Sequence, residues 1–239
     1  MAEALSVELA GESVPVTVRR NAQAKRLILR VDKTTGEIKL TLPKHVGMRA
    51  ATKFIYANTT WLLDERQLLT PNKIIADSSL LPFLGDEQTV VFTGIAPRKV
   101  VHEGEQLMVG GPTDMAGKRL ETWLRAQAKE LLTERAALHA EKLGTKFKRV
   151  SIGDMKSRWG SCSSTGTLRF SWRLVLAPFE VLDYVAAHEV AHLLEMNHSD
   201  RFWAQVAICI PDHKARRRWL KTEGNALFKI RFNTDKNAQ

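Results

Sequence analysis

The sequence from His188 to His198, HEVAHLLEMNH, sets the expectations for the fold and chemistry of the C-terminal half. It contains three of the seven histidines of the 239-residue chain. On a helix, residues four apart lie on one face with Cβ atoms about 5–6 Å apart, so the rings of His188 and His192 can reach one metal ion. Glu189 is offset by about 100° and can hydrogen-bond water held at that ion.

A third histidine ligand requires the chain to reverse its direction. Along a continuous helix, His198 would lie about 9 Å beyond His192 and be rotated away from it. We therefore expect the helix to end soon after Leu194, with Asn197 in a left-handed conformation that returns His198 to the ion. Three protein ligands would leave a fourth position open for water, which is the arrangement of catalytic zinc sites.

The spacing also matches the metzincin signature HExxHxxGxxH, apart from one position. Glu195 occupies the place of the signature glycine. The turn must then be built without glycine, and no methionine turn follows downstream. The metzincin fold is therefore not expected to carry over.

Composition limits the class of protein. Apolar residues make up 44% and charged residues 26%, which is ordinary for a globular protein. No apolar run approaches the ~20 residues of a membrane helix, and the N-terminus lacks signal-peptide features, so no membrane association is expected. The two cysteines, Cys162 and Cys209, are too few for a disulfide framework, which favours a reducing, cytoplasmic setting.

The chain carries a formal net charge of +10. This charge suits an acidic partner such as nucleic acid, and it equally suits a solvated basic surface. The densest basic stretches are residues 19–30 and 214–221. A partnership with nucleic acid is therefore a possibility that net charge alone cannot decide.

Strand patterns dominate the first half of the chain. Hairpins are predicted around Gly11-Glu12, within residues 26–43 and within residues 98–111. A single amphipathic helix is predicted over residues 48–69, ending before Pro71. Its apolar positions at helical spacing are Phe54, Ile55, Trp61, Leu62 and Leu68.

The second half is predicted to be mainly helical. A long helix is expected from Asp114 to Leu143, closed by Gly144. Short strands follow at residues 147–152 and 167–177, then a helix opened by Pro178 and two further helices. The composition shift at Gly110-Gly111-Pro112 predicts a strand-rich N-terminal domain at 1–111 and a second domain at 112–239. The fold class is α+β.

Segments along nearly the whole chain resemble the YgjP-like (DUF45) metallopeptidase family, which is related to the SprT-like and WLM minimal zincins. The most specific segments are SRWGSCSS at 157–164 and HEVAHLLEMNHSDRFW at 188–203. The resemblance implies a zincin-like C-terminal half with a small sheet. It also implies zinc bound by His188, His192 and His198, Glu189 as the catalytic acid/base, and hydrolysis of a peptide or protein substrate.

Several residues near this motif have two interpretations each. Arg158 could contact substrate or satisfy backbone carbonyls, while Trp159 and Cys162 are expected to pack into the core. The strand at Leu168–Leu176 could be an edge strand that pairs with substrate or an internal strand. Tyr184 could stabilise an oxyanion or pack beside His188.

The partners that orient the metal-binding rings are also open at this point. Asp183, Glu195 and Asp200 are near in sequence, and spacing does not choose among them. Phe202 and Trp203 are expected to pack the following helix and hold His198 in place.

The favoured hypothesis is a zinc-dependent metallopeptidase that acts on a peptide or protein. One alternative is a metal-dependent hydrolase of nucleotide phosphoanhydrides, although the chain lacks a Walker-type loop and its all-histidine ligand set is not the one magnesium prefers. Another is a non-enzymatic nucleic-acid-binding module, although no known reading motif is present. The sequence does not indicate the oligomeric state.

Overall fold

The computed structural model of the protein describes residues 3–9, 12–32, 35–67, 72–155 and 158–232. The chain divides into two compact units, residues 1–71 and residues 72–239. Strands concentrate in the first half and helices in the second, so the predicted α+β class is confirmed. No helix in the described ranges is long and apolar enough to cross a membrane.

The first unit contains a four-stranded mixed sheet and two helices. These elements are β1 (Glu3–Leu9), β2 (Glu12–Arg20), β3 (Ile28–Val31), β4 (Ile38–Leu42), α1 (Met48–Ala57) and α2 (Thr59–Gln67). The strand order is β1-β2-β4-β3, in which two antiparallel hairpins meet through the parallel pair β2 and β4. Both hairpins predicted in this region are confirmed. Alternate residues of β2 and β4 are buried, as period-two patterning requires.

The single helix predicted over residues 48–69 is wrong, because α1 and α2 are separated at Asn58. The Asn58 N–H donates to the Ile55 carbonyl at 3.0 Å, and its side-chain amide donates to the Phe54 carbonyl at 2.8 Å. This local bonding ends α1, since a short polar side chain competes with the helical ladder for backbone groups. Ile55 and Leu62 are buried as expected, whereas Trp61 is 39% exposed. The positions predicted for Leu68 and Pro71 lie outside the described residues.

The second unit begins with a sheet of the same connectivity. Its first strands are β5 (Lys73–Ile75), β6 (Leu80–Phe83), β7 (Asp86–Phe92), β8 (Val100–Glu103) and β9 (Gln106–Val109). Four of them form a sheet in the order β6-β7-β9-β8, again two hairpins joined through a central parallel pair. The hairpin predicted at residues 98–111 is confirmed.

The division after residue 71 differs from the boundary expected at residues 111 and 112. Ile75, Leu81 and Leu107 lie in the same buried cluster as Leu120 and Leu124, so the second sheet shares the core of the C-terminal unit. The glycine pair at 110–111 is not part of a linker between domains. It allows the backbone at this point to approach the backbone at Ile95 closely. Gly111 has φ +86° and its N–H bonds to the Ile95 carbonyl at 2.6 Å.

The long helix predicted from Asp114 to Leu143 is confirmed as α3 (Ala116–Lys142), preceded by a 3₁₀ turn at Thr113–Met115. It ends in a Schellman motif, in which the Thr145 N–H bonds to the Ala140 carbonyl at 2.9 Å and the Gly144 N–H to the Glu141 carbonyl at 3.0 Å. Gly144 has φ +62°, as this cap requires.

A small three-stranded sheet follows α3. It consists of β10 (Arg149–Gly153), β11 (Gly160–Cys162) and β12 (Thr167–Ser171), in the order β10-β12-β11. The predicted strand at 167–177 is therefore wrong in its second part, which forms a 3₁₀ helix at Trp172–Leu176 after Ser171 caps it. Of the two interpretations of the strand at Leu168–Leu176, the structure supports the internal strand, because β12 is paired on both sides.

Four helices and a strand follow in the described part of the chain. They are α4 (Phe179–Ala191), α5 (Asp200–Cys209), α6 (His213–Thr222), α7 (Gly224–Leu227) and β13 (Ile230–Phe232), which pairs in parallel with β5. The helix expected after Pro178 and the two helices after it are confirmed. Ten of the thirteen residues of α4 are buried, so this helix is the centre of the unit.

A buried ionic cluster joins α4 to α3. Asp183 accepts hydrogen bonds from His139 Nε2 at 2.6 Å and from Arg135 Nε at 2.7 Å. Burial alone would raise the pKa of Asp183, but the hydrogen bonds from His139 and Arg135 outweigh it and hold that pKa below its ordinary value. The carboxylate therefore fixes the helix that carries the HEVAH motif.

Removing this carboxylate is expected to weaken the second unit. Asp183→Ala should lower the free energy of unfolding by about 3 kcal/mol, because it leaves the partly buried Arg135 and the buried His139 without their acceptor. The contribution of Asp183 is fully present at neutral pH and is lost as the pH falls through its lowered pKa, so the deficit should shrink in acid. Urea denaturation at neutral and acid pH measures both effects. Glu180→Ala, at an exposed position of α4, is the control, and an equal loss in both variants would contradict the assignment.

Candidate active site

The three histidines of the opening motif converge on one point. Their ligand-capable atoms all lie within 4.8 Å of one another, and the Nε2 atoms of His188 and His198 are 3.2 Å apart. His188 lies in the last turn of α4, His192 caps that helix, and His198 precedes α5. The sequence-predicted cluster is therefore brought together, and its three rings could hold a single metal ion.

The chain reverses between α4 and α5 by a route that differs from the predicted one. The helix ends at Ala191, earlier than expected. The only non-glycine residues with positive φ in the described ranges are Ser78 and Leu84, so the predicted left-handed Asn197 is wrong. Instead, Asn197 Oδ1 accepts a hydrogen bond from the Ser199 N–H at 3.0 Å. Such an Asx turn reverses the chain without the steric cost of positive φ.

The outer nitrogens of two rings have identifiable partners. His192 Nδ1 donates to the Glu195 carbonyl at 3.0 Å, and His188 Nδ1 lies 3.5 Å from the Tyr184 hydroxyl. These contacts leave Nε2 of each ring directed at the shared point. Among the acidic residues considered for this role, Glu195 acts through its backbone carbonyl, whereas Asp183 is bound by Arg135 and His139 of α3.

Tyr184 packs beside the site. Its side chain is almost fully buried, at 3% exposure, and burial raises the pKa of its hydroxyl to about 12. Its hydroxyl lies near the rear nitrogen of His188, away from the point where the three rings meet. This placement favours the packing interpretation over a role in stabilising an oxyanion.

Aromatic side chains of α5 hold the rings of the cluster, as predicted. Phe202 is fully buried and stacks on His192, with ring centroids 4.4 Å apart. Trp203 stacks on His198 at 5.7 Å, and Arg217 lies over the face of Trp203 at 4.8 Å. These contacts restrict the rotamers of the histidines before any ion binds.

The histidines are electrically suited to bind a metal ion. Burial, together with the proximity of His192 and His198, lowers the pKa of His188 to about 3. Burial also lowers the pKa of His192. Both rings are therefore neutral at physiological pH, which is the form that coordinates metals.

Glu189 lies on the same helix and is 5% exposed. Burial raises the pKa of its carboxyl to about 8, against the opposing effect of the Arg158 charge. The carboxyl borders a cavity of about 200 Å³ that also contains His188 and Arg158 in its lining. A carboxyl whose pKa is raised and that adjoins a cavity is a candidate proton carrier.

Gly160 lies against the candidate base, a contact that the sequence patterns did not predict. A Cβ added at this position would lie 2.6 Å from Cγ and 2.7 Å from Cδ of Glu189, distances that packed atoms do not adopt. The Glu189 side chain can therefore lie against β11 only because residue 160 lacks a side chain. The WGSC segment carried a signal for such a close approach, but a turn glycine alone does not identify its neighbour.

Trp159 and Cys162 of the RWGSC segment follow the packing interpretation. Trp159 stacks on Phe228 with ring centroids 4.4 Å apart, and Cys162 packs against the core. Burial, with the nearby Glu189 charge, raises the pKa of the Cys162 thiol to about 11, which disfavours the thiolate form needed for metal binding. Arg158 is exposed and faces the cavity beside Glu189.

Comparison with known proteins identifies the family. Residues 25–223 match the sequence profile of the YgjP-like metallopeptidase domain. The chain belongs to the YgjP-like family. The resemblance recognised in its sequence motifs is therefore confirmed, and this YgjP-like protein falls in the class of metal-dependent peptidases.

One similar solved structure is that of the metallopeptidase zymogen of Pyrococcus abyssi abylysin. It is 23% identical to this YgjP-like chain, with a TM-score of 0.36. The similarity covers 39% of this chain and 95% of that one. No curated protein matches the chain.

Substituting Gly160 is expected to separate metal binding from turnover. The methyl group of Gly160→Ala should displace the Glu189 carboxyl and reduce peptide hydrolysis by about 100-fold, since an error of 1 Å in placement has that effect. The three histidines should still bind metal. Metal content and the rate of peptide cleavage measure the two properties.

Gly47→Ala is the matched control, because an added Cβ there meets no atom within 4 Å. It should leave both properties unchanged. Undiminished cleavage by the Gly160→Ala protein would show that the contact with Glu189 does not position a functional group.

Proposed function

We propose that the protein is a zinc-dependent metallopeptidase in which His188, His192 and His198 bind the ion and Glu189 is the general base. The observation that carries this proposal is the convergence of three imidazoles, with His188 and His192 neutral, beside a buried carboxyl. Three nitrogen ligands with a fourth position open match the usual composition of catalytic zinc sites. The family match supports the same class of reaction.

Each residue of the site has a separate role in the proposed hydrolysis. When bound, zinc lowers the pKa of a coordinated water towards ~7 and polarises a carbonyl group. Glu189 accepts the proton released by the attacking water and then delivers it to the nitrogen of the leaving amine. Gly160 lets this carboxyl remain against β11, and Glu195 and Tyr184 orient the rings of His192 and His188.

The substrate is proposed to bind as an extended peptide along β11. Among the described strands, β11 pairs with β12 alone. The backbone N–H and C=O groups on its other edge are therefore not used in strand pairing. An extended peptide can add to such an edge through main-chain hydrogen bonds. The adjoining cavity at Glu189 then receives the bond to be cleaved.

The two cysteines support a reducing site of action. Cys162 and Cys209 are both unpaired, and burial raises the pKa of each thiol. We propose on this basis that the enzyme works in the cytoplasm.

Replacing the proposed base tests the mechanism. Glu189→Gln should retain bound zinc and lower the turnover of an unfolded protein substrate by at least about 100-fold, which is the typical contribution of a general base. Glu180→Gln, an exposed position on the same helix, should leave turnover unchanged. Zinc analysis and product detection by mass spectrometry provide the measurements. Equal zinc content with undiminished turnover in Glu189→Gln would exclude this mechanism.

A panel of nucleoside triphosphates in the same assay separates peptide hydrolysis from phosphoanhydride hydrolysis. Zinc-loaded protein should cleave the unfolded protein and leave the nucleotides intact. Nucleotide cleavage that depends on Glu189, without any peptide cleavage, would replace the proposed reaction.

Removing the metal is expected to lower the thermal stability of the protein. Zinc bound only by the folded chain stabilises it by about 4 kcal/mol when its concentration is 1,000 times the dissociation constant. Tm should fall after treatment with a chelator and recover with added zinc. His198→Ala should abolish the recovery, whereas His45→Ala, at an exposed position of the first unit, should preserve it. A Tm that zinc does not change would contradict metal binding at this cluster.

A further inference from the structure

A cleft of about 530 Å³ on the small sheet is lined by three arginines and several hydroxyl groups. Arg149 comes from β10, Arg169 from β12, and Arg158 from the segment just before β11. No acidic residue contributes to the lining. The cleft is therefore a concentrated positive surface within the second unit.

Strand register places these groups on one face. Ser151 of β10 and Ser161 of β11 are both paired with Arg169 of β12, and Arg149 is paired with Thr167. Since neighbouring residues of a strand point to opposite faces, the buried Leu168 and Phe170 lie on the other side. The strand register therefore places the guanidinium and hydroxyl groups on the same outward face of the sheet.

The arginines of the cleft form no ion pair within the described part of the chain, although the charge of Arg158 acts on the nearby Glu189. No ion pair involves Arg149, Arg158 or Arg169 there. Asp154, at the end of β10, is instead bound by Arg173 at 3.1 Å. Guanidinium groups held close together repel one another, and a bound anion relieves that repulsion through charge-assisted hydrogen bonds.

The cleft adjoins the proposed active site through Arg158, which lines both the cleft and the cavity that contains Glu189 and His188. Gly160 contacts Glu189 on one face of β11, and Ser161 faces the arginines on the other. A peptide extended along β11 would direct alternate side chains towards these two faces. Its outward side chains would then meet the arginines.

We propose that this arginine cleft is a specificity subsite that binds a carboxylate of the peptide substrate. The proposal rests on the peptidase function proposed above and adds a substrate class, acidic peptides. Guanidinium groups bind carboxylates with two parallel hydrogen bonds, and the serine and threonine hydroxyls can donate further bonds to the same group.

Binding to the inactive protein tests the subsite directly. Zinc-loaded Glu189→Gln protein is titrated with fluorescent peptides of Ala, Ser and Leu that carry one internal glutamate or one internal glutamine, with amidated C-termini. The glutamate peptide should bind about tenfold more tightly, since one hydrogen-bonded charge contributes that much. Adding Arg149→Gln and Arg169→Gln should reduce the ratio to about one. The ratio should also fall as salt is raised.

The control carries Arg98→Gln and Lys118→Gln, which remove the same charge from exposed positions of the second unit outside this cleft. It should retain the full preference for glutamate. The glutamine peptide with a free C-terminus separates the two sources of carboxylate, because tighter binding of that peptide alone would assign the cleft to the terminal carboxylate.

Three results would overturn the proposal. They are equal affinity for the glutamate and glutamine peptides with either terminus, a preference that survives the double arginine substitution, and arginine-dependent binding of tripolyphosphate without binding of any peptide. Cleavage assays keep the two proposals separate. Cleavage of peptides without an acidic preference would refute the subsite and leave the peptidase intact, whereas acidic binding without any cleavage would refute the peptidase and leave the subsite.

Discussion

The site depends on one constraint: the helix that carries it is buried on almost every side. Polar groups on such a helix must be satisfied by protein rather than by water, since an unpaired buried group is costly. Asp183 receives bonds from α3, and the ring of His192 donates to a backbone carbonyl just beyond the helix. The same burial keeps His188 neutral and raises the pKa of Glu189. Burial thus causes both the rigid support of the site and the shifted pKa values of these two residues.

The reversal after α4 converts a helical motif into a three-dimensional cluster. Two short polar side chains stabilise this reversal. Asn197 accepts a hydrogen bond from the Ser199 N–H, and the Ser199 side chain caps α5. The cap sets the first turn of α5, and that turn places Phe202 and Trp203 against the histidine rings. The aromatic stack therefore supports the ligands from a helix whose position the turn itself determines. Preorganised ligands lose less freedom when an ion binds.

Local signals predicted the parts of the structure that local interactions determine. The spacing of two histidines and one glutamate predicted a shared face of α4, and Gly144 correctly marked the end of α3. The rest depended on contacts between distant segments. Neither the central position of β12 nor the contact of Gly160 with Glu189 can be predicted from spacing, because the first depends on how three strands pair and the second on how a strand packs against a helix. The division after residue 71 likewise reflects a core shared by Leu107 and Leu120, and the break at Asn58 arises from a side-chain bond that periodicity does not show.

The shortness of β11 has a consequence for how the protein behaves in concentrated solution. An open sheet edge invites pairing with other chains, and long edges promote aggregation. This edge is three residues long, from Gly160 to Cys162, and it contains only glycine, serine and cysteine. It is too short to template a stable intermolecular sheet. A peptide can therefore bind along this edge transiently and dissociate. Stable association of two copies of the chain through the same edge is disfavoured.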